Sequence, residues 1–288
     1  MNSPKLPSLI TLLLSALLLL GGCEETDLYL VTEAGVDAVK AVTLSDQEVA
    51  ELAAQASRQA DEKNQVAPPE NPYARRLEKL VGQHQREENT TFNFKVYLSP
   101  TVNAFAMADG TIRVYSGLMD MMDDGELRFV IGHEMGHVVE QHIKKKLMLA
   151  YAGRAVRKGV ASQQNVAGDI ARSSLGGLAE ALVNAQFSQQ EERQADDYGL
   201  SFLQQKRYQP EKAISALEKL ATLGSDHSFL SSHPAPAERA KRLAHRIANP
   251  EQPEPEEPKD NGATSLFLSL WEKLKGLLAL LLDFFNSF

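Results

Sequence analysis

Five consecutive residues, His133-Glu134-Met135-Gly136-His137, carry the clearest chemistry in this chain of 288 residues. On an α-helix, positions four apart are turned by only about 40° around the axis, so two imidazoles can reach one metal ion. The Glu134 carboxylate falls on the neighbouring side, where it can hold a water beside the metal and accept its proton. A catalytic zinc ion takes three protein ligands and keeps a fourth position open, so one further ligand is needed.

Three acidic or imidazole groups are candidates for that place. His142 follows His137 by five residues, and on a continuous helix it would be turned about 140° away. It reads as a solvated histidine near a basic helix end, not a ligand. Glu191 and Glu192 lie in Gln190-Glu191-Glu192-Arg193-Gln194-Ala195-Asp196, on a second helical stretch. Spacing alone does not choose between them. Asp196 sits one turn beyond Glu192 on the same face, where it can accept a hydrogen bond from a ligand imidazole and fix its tautomer.

These motifs together resemble the HtpX/BepA/LoiP-type family of zinc metallopeptidases, which are related to the CAAX prenyl proteases. That family pairs H-E-x-x-H with a later E-x-x-A-D whose Glu is the third ligand. Glu192-Arg193-Gln194-Ala195-Asp196 matches it, so the resemblance selects Glu192. Asn103-Ala104-Phe105-Ala106 matches the strand that precedes the metal helix in the family, and His233-Pro234 followed by Arg239 matches a later element. The likeness covers roughly residues 92–245. It implies a gluzincin-like site with one zinc ion on His133, His137 and Glu192. Glu134 would be general base and then proton donor in peptide hydrolysis. For His233 it implies a place facing the metal, either stabilising the oxyanion of the attacked carbonyl or filling the open position and holding the enzyme latent. Arg239 would tie the last helix to the metal-binding helices. The implied substrates are unfolded or misassembled envelope proteins. The competing reading is a chaperone-like adaptor for outer-membrane protein assembly with latent proteolysis.

These residues need a scaffold. Ser45 and Glu48 form a capping box that starts a helix running to about Lys63. Val66-Ala67-Pro68-Pro69 interrupts it, and Pro72 opens another. Phe92–Leu98, Val102–Ala108 and Thr111–Tyr115 read as strands, the last two joined by an Asp109-Gly110 turn. The outer strand, Asn103 to Ala106, can pair with an extended substrate backbone. Asp123 and Glu126 cap the metal helix, which is expected to continue to Lys146. Residues 150–180 are small, polar and weakly periodic. Helices follow over about 178–206, 210–223 and 235–248. The expected fold class is α+β, mostly helical: a zincin metallopeptidase domain with a small β-sheet ahead of the H-E-x-x-H helix.

The ends of the chain suggest where it works. Lys5 and an apolar run from Leu9 to Leu20 precede Gly21-Gly22-Cys23, which resembles a bacterial lipobox around the only cysteine. Residues 1–22 then read as a lipoprotein signal peptide and 23–44 as a tether lipidated at Cys23. The metallopeptidase domain covers 45–248, a Pro- and Glu-rich linker 249–264, and an apolar amphipathic helix 265–288. Glu24 after the cysteine favours an outer-membrane anchor facing the periplasm. Membrane contact is expected through the lipid and through the C-terminal helix. With 38 acidic against 30 basic residues and a net charge of -8, no nucleic-acid partner is expected.

Overall fold

The computed structural model describes residues 27–87, 90–162, 186–224 and 227–251. The signal segment, Cys23 and the C-terminal helix expected over 265–288 lie outside the described residues. In chain order the helices are α1 (Leu28–Thr43), α2 (Asp46–Lys63), α3 (Pro72–Val81), α4 (Ser116–Met121), α5 (Asp124–Val139), α6 (His142–Ala161), α7 (Gln189–Gln205), α8 (Glu211–Ala221), α9 (Ser228–Ser232) and α10 (Pro236–Ala248). The strands are β1 (Arg86–Glu87), β2 (Thr90–Thr91), β3 (Asn93–Tyr97), β4 (Ala104–Ala106) and β5 (Thr111–Tyr115). The molecule is thus α+β and mostly helical. No helix among the described residues is long and apolar enough to cross a membrane.

The sheet has the order β3-β5-β4, with β3 parallel and β4 antiparallel to the central β5. Ala104 pairs with Val114 and Ala106 with Ile112. The β4–β5 turn works because Gly110 takes φ +83, a conformation glycine adopts without penalty. A Cβ there would also strike the carbonyl oxygen of Thr91 at 2.1 Å. The Asp109 carboxylate closes the turn by accepting from Thr111 N at 3.0 Å. As the edge strand, β4 lies directly along α5.

Helix α5 is apolar or buried on nearly every side, as a central helix must be. Asp123 caps it: its carboxylate accepts from Glu126 N at 3.0 Å, and Glu126 reaches back to Asp123 N at 2.8 Å. Leu127, Phe129 and Ile131 are fully buried, each contributing about 1.5–3 kcal/mol by leaving water. On the far side α7 approaches closely. A Cβ on Gly136 would meet Ala195 Cα at 3.0 Å, and one on Gly132 would meet Gly199 Cα at 3.1 Å. Small residues on both helices therefore set the distance across which the metal ligands must meet.

Several expectations are refined here. Helix α5 does not run on to Lys146: it stops at Val139, and Gln141 takes φ 56 before α6 starts at His142. The stretch 23–44, read as a tether, contains α1. This helix packs along α6 through ion pairs of Lys158 Nζ with Glu33 and Asp37, both 2.8 Å. Ala41, Leu44, Val49, Leu147 and Tyr151 add a small apolar cluster. Its contact is largely ionic, so no apolar periodicity announced it. Residues 150–161, in the stretch noted as small, polar and weakly periodic, continue α6, and 163–185 lie outside the described residues. Helix α7 begins at Gln189 rather than near 178, behind a capping box formed by Ser188 and Glu191.

Candidate metal centre

His133, Glu134 and His137 project from the middle of α5, and Glu192 and Asp196 from the first turns of α7. All five are buried. Glu191 is spent on the helix cap, accepting from Ser188 N at 2.9 Å, which turns it away from the site. Glu192 faces inward. Four side-chain atoms converge. His133 Nε2 lies 3.0 Å from His137 Nε2 and 3.3 Å from His233 Nδ1. Glu192 Oε1 lies 3.3 Å from His137 Nε2 and 2.9 Å from His233 Nδ1. His133, His137, Glu192 and His233 form one cluster with metal-ligand potential.

The proton inventory of the two helical histidines can be worked out from their outer partners. Burial would raise the Asp196 carboxyl, but the Arg239 guanidinium and the hydrogen bonds it and His133 supply hold it below the usual range. An ionised carboxylate only accepts, so His133 Nδ1 donates to Asp196 Oδ1 at 3.0 Å, and the neutral ring then carries its lone pair on Nε2. Arg239 Nη2 shares that oxygen at 2.6 Å, and Arg239 Nε donates to Asp196 Oδ2 at 2.8 Å. Arg239 Nη1 also contacts Glu192 Oε2. Burial pushes His137 well below the ordinary histidine value, so it is neutral. Its Nδ1 lies 2.9 Å from His142 Nδ1, and His142 Nε2 lies 3.0 Å from Gln194 Oε1. The amide oxygen only accepts, so His142 Nε2 donates to it. His142 Nδ1 must then accept from His137 Nδ1, which leaves a lone pair on His137 Nε2 as well.

With both rings neutral, two lone pairs face each other at 3.0 Å. That arrangement is repulsive unless a cation lies between. Tetrahedral zinc with bonds of about 2.0–2.1 Å has edges of roughly 3.3–3.4 Å, close to the four spacings found here. Glu134 Oε1 is buried without a hydrogen-bond donor, 3.6 Å from His233 Nε2, so it is placed to receive a proton. The residues present fit a bound metal ion.

His142 is buried, not solvated, because the break at Gln141 folds α6 back and returns it to His137. Continuous-helix spacing hid this role. The ring of Phe187 stacks on His137 with centroids 3.7 Å apart, and Phe229 stacks on His233 at 4.7 Å. No sequence signal marked either aromatic. Gln194 lay inside the E-x-x-A-D motif and was the one extra residue open to notice. Asn103 to Ala106 run along the site's edge: Phe105 and Ala106 line a narrow cleft with Met107, Glu134, Lys146 and His233. Asn103 Oδ1 is buried without a hydrogen-bond donor among the described residues. A larger groove of about 790 Å³, lined by Val66, Leu77 and Phe94, lies elsewhere and holds no comparable cluster.

The peptidase family M48 model matches residues 69–247. The metalloprotease LoiP of Escherichia coli is 43% identical over 238 residues, 82% of this chain and 94% of that protein. The metalloprotease YcaL of Escherichia coli is 39% identical over 80% of this chain and 93% of that protein. A beta-barrel assembly-enhancing protease of Escherichia coli is more distant, 29% identical over 54% of this chain and 34% of that protein. With a helix pair that brings two histidines, a glutamate and a second buried carboxylate together, the chain belongs to peptidase family M48 and is a metallopeptidase.

Proposed function

We propose that this protein is a zinc endopeptidase of the bacterial envelope, anchored by a lipid on Cys23 to the outer membrane and acting on unfolded or misassembled envelope proteins. The observation that carries the reading is the facing pair of Nε2 lone pairs, closed by Glu192 Oε1, with the unpartnered Glu134 carboxylate beside it. A zinc ion held by His133, His137 and Glu192 supplies Lewis acidity at the scissile carbonyl and its attacking water. Glu134 takes the water's proton on Oε1 and delivers it to the leaving amine. Asp196 and Arg239 orient His133, while His142 and Gln194 orient His137. The β4 edge pairs with the substrate backbone and aligns the bond to be cut. In the arrangement described here His233 Nδ1 lies 2.9 Å from Glu192 Oε1 and 3.3 Å from His133 Nε2, and the cleft measures only about 40 Å³, room for a water but not for a peptide. This is a resting arrangement. His233 would move aside when substrate enters, and its imidazole would then donate to the oxyanion.

The test is cleavage of an unfolded protein by the full chain. Chelation should abolish it and added zinc should restore it. Persistence of full cleavage in a metal-free sample sinks the reading. Lipidation is checked by incorporation of labelled fatty acid, which Cys23→Ala should abolish. If Glu134→Gln restored full envelope function to a strain lacking the gene, a chaperone-like adaptor role for outer-membrane protein assembly would replace proteolysis as the main activity.

A further inference from the structure

One charged group at the cleft has no part in the metal chemistry. Lys144, Lys145 and Lys146 are consecutive on α6, yet their fates differ. Lys144 pairs with Asp46 on the surface and Lys145 is exposed. Lys146 is only 7% exposed and lines the same cleft as Glu134, Phe105, Met107 and His233. It lies one helical turn after Ile143, which also faces the cleft. Its Nζ sits 3.1 Å from the centroid of the Phe187 ring. His137 stacks on that ring at 3.7 Å. Two groups so close to one centroid must occupy opposite faces, so Phe187 separates the ammonium from the metal ligand.

No carboxylate among the described residues forms an ion pair with Lys146. The contact with Phe187 is a cation–π interaction, which partly replaces the lost hydration but supplies no counter-charge. A buried ammonium in this condition is costly unless something pairs with it. Burial lowers it to about 8, opposed by Glu192, Glu134 and Glu191, so at neutral pH most of it is charged. The charge count of the buried site points the same way. Glu134, Glu192 and Asp196 contribute three negative charges; Lys146, Arg239 and a divalent metal contribute four positive ones. The balance is one positive charge on the cleft wall, beside the general base.

We propose that Lys146 is the cationic wall of a substrate subsite that accepts an acidic side chain, Asp or Glu, next to the scissile bond. The inference rests on the peptidase reading of this cleft and adds its substrate preference. A carboxylate entering along β4 would meet the Lys146 ammonium and form a charge-assisted hydrogen bond in surroundings that exclude water. The unfolded segments cut fastest would be those with an acidic residue beside the cleaved bond.

The experiment uses full-length, zinc-supplied protein digesting a denatured protein, with the cut sites mapped by mass spectrometry. Paired peptides that differ only in Glu or Gln beside the cut bond then give kcat/KM. Wild type should favour Glu over Gln by about tenfold or more, the scale of a hydrogen bond to a charged group. Lys146→Met should erase the preference while cutting the Gln peptide at close to the wild-type rate. Lys146→Arg should keep the preference, which guards against a folding defect in the Met variant. Lys145→Met should change nothing. Equal cleavage of both peptides by wild type, or a preference surviving in Lys146→Met, overturns the proposal while the peptidase reading stands. A uniform fall on both peptides in Lys146→Met also overturns it, since the lysine would then act on the reaction rather than on selection. If wild type cuts nothing in the digest, the peptidase reading fails and takes the subsite with it.

Discussion

The cluster around Asp61 and the cluster around Glu192 are built from the same kinds of group, yet they end in different states. Asp61, on α2, accepts from Arg113 Nε at 2.7 Å, Lys95 Nζ at 2.7 Å and Tyr97 Oη at 2.7 Å. Arg113 Nη2 also donates to Asp61 Oδ2 at 3.0 Å, and Nη1 donates to Asn93 O and Ile112 O. No buried polar side-chain atom of this cluster lacks a partner, and the result clamps α2 onto β3 and β5. Around Glu192, Asp196 and Arg239 the Asp196 carboxylate is fully engaged by His133 and Arg239, but the inner atoms are left in conflict. Two imidazole lone pairs face each other and Glu134 Oε1 has no donor. The first pattern is architecture, complete within the chain. The second is complete only with something added, and its geometry says a cation.

The comparison can be broken most forcefully at Glu134. Glu134→Gln should reduce kcat for peptide cleavage by about 10²–10⁴-fold, the usual weight of a positioned general base, while metal content stays at the wild-type level. Loss of metal along with activity would make Glu134 a ligand instead. Asp61→Ala should act on the fold and not on the site. It strands the buried Arg113 guanidinium and should cost about 3 kcal/mol in denaturant unfolding, with metal per folded chain unchanged. A large change in metal affinity in that variant would erase the distinction between the clusters. His142→Leu should do the reverse. It leaves the helices in place but releases the tautomer of His137, and zinc affinity measured by chelator competition should fall about 10–100-fold. Unchanged affinity would remove His142 from the account.

The smallest expected effect is in acid. Burial would raise Asp61, but Arg113, Lys95 and Tyr97 hold it well below the ordinary carboxylate range. The folded chain therefore binds that proton less readily than the unfolded chain. The stabilisation is fully present above the unfolded value of about 3.9 and is lost as pH falls through the lower folded one. Thermal-unfolding profiles should show Asp61→Asn less sensitive than wild type to acid below about pH 4. Parallel acid limbs for the two proteins would contradict this.

How much of this was legible in the residues follows from where each signal lies. The ligands on α5 and α7 sit at helical spacing within short segments, and the caps at Ser45 and Asp123 lie three residues from their partners, so both could be read along the chain. The β4–β5 hairpin announced itself through Asp109-Gly110. Glu191 and Glu192 could not be separated by spacing, because only the capping box at Ser188 takes one of them away. His142 and Lys146 were out of reach for a different reason. Their positions depend on a left-handed residue at Gln141 that turns α6 back over the site, and glutamine carries no mark of that conformation. Helix α1 was missed because Glu33 and Asp37 meet Lys158 across 120 or so residues of sequence, a match of charge rather than of apolar period.

The most direct test of the central claim is metal stoichiometry on the folded full-length chain, measured by elemental analysis after equilibration with zinc. The account predicts about one zinc per chain in wild type and in Glu134→Gln, and a near-complete loss in His133→Ala and in Glu192→Ala with the fold retained. A well-folded wild type that takes up no metal, or a His133→Ala variant that holds as much as wild type, would contradict it.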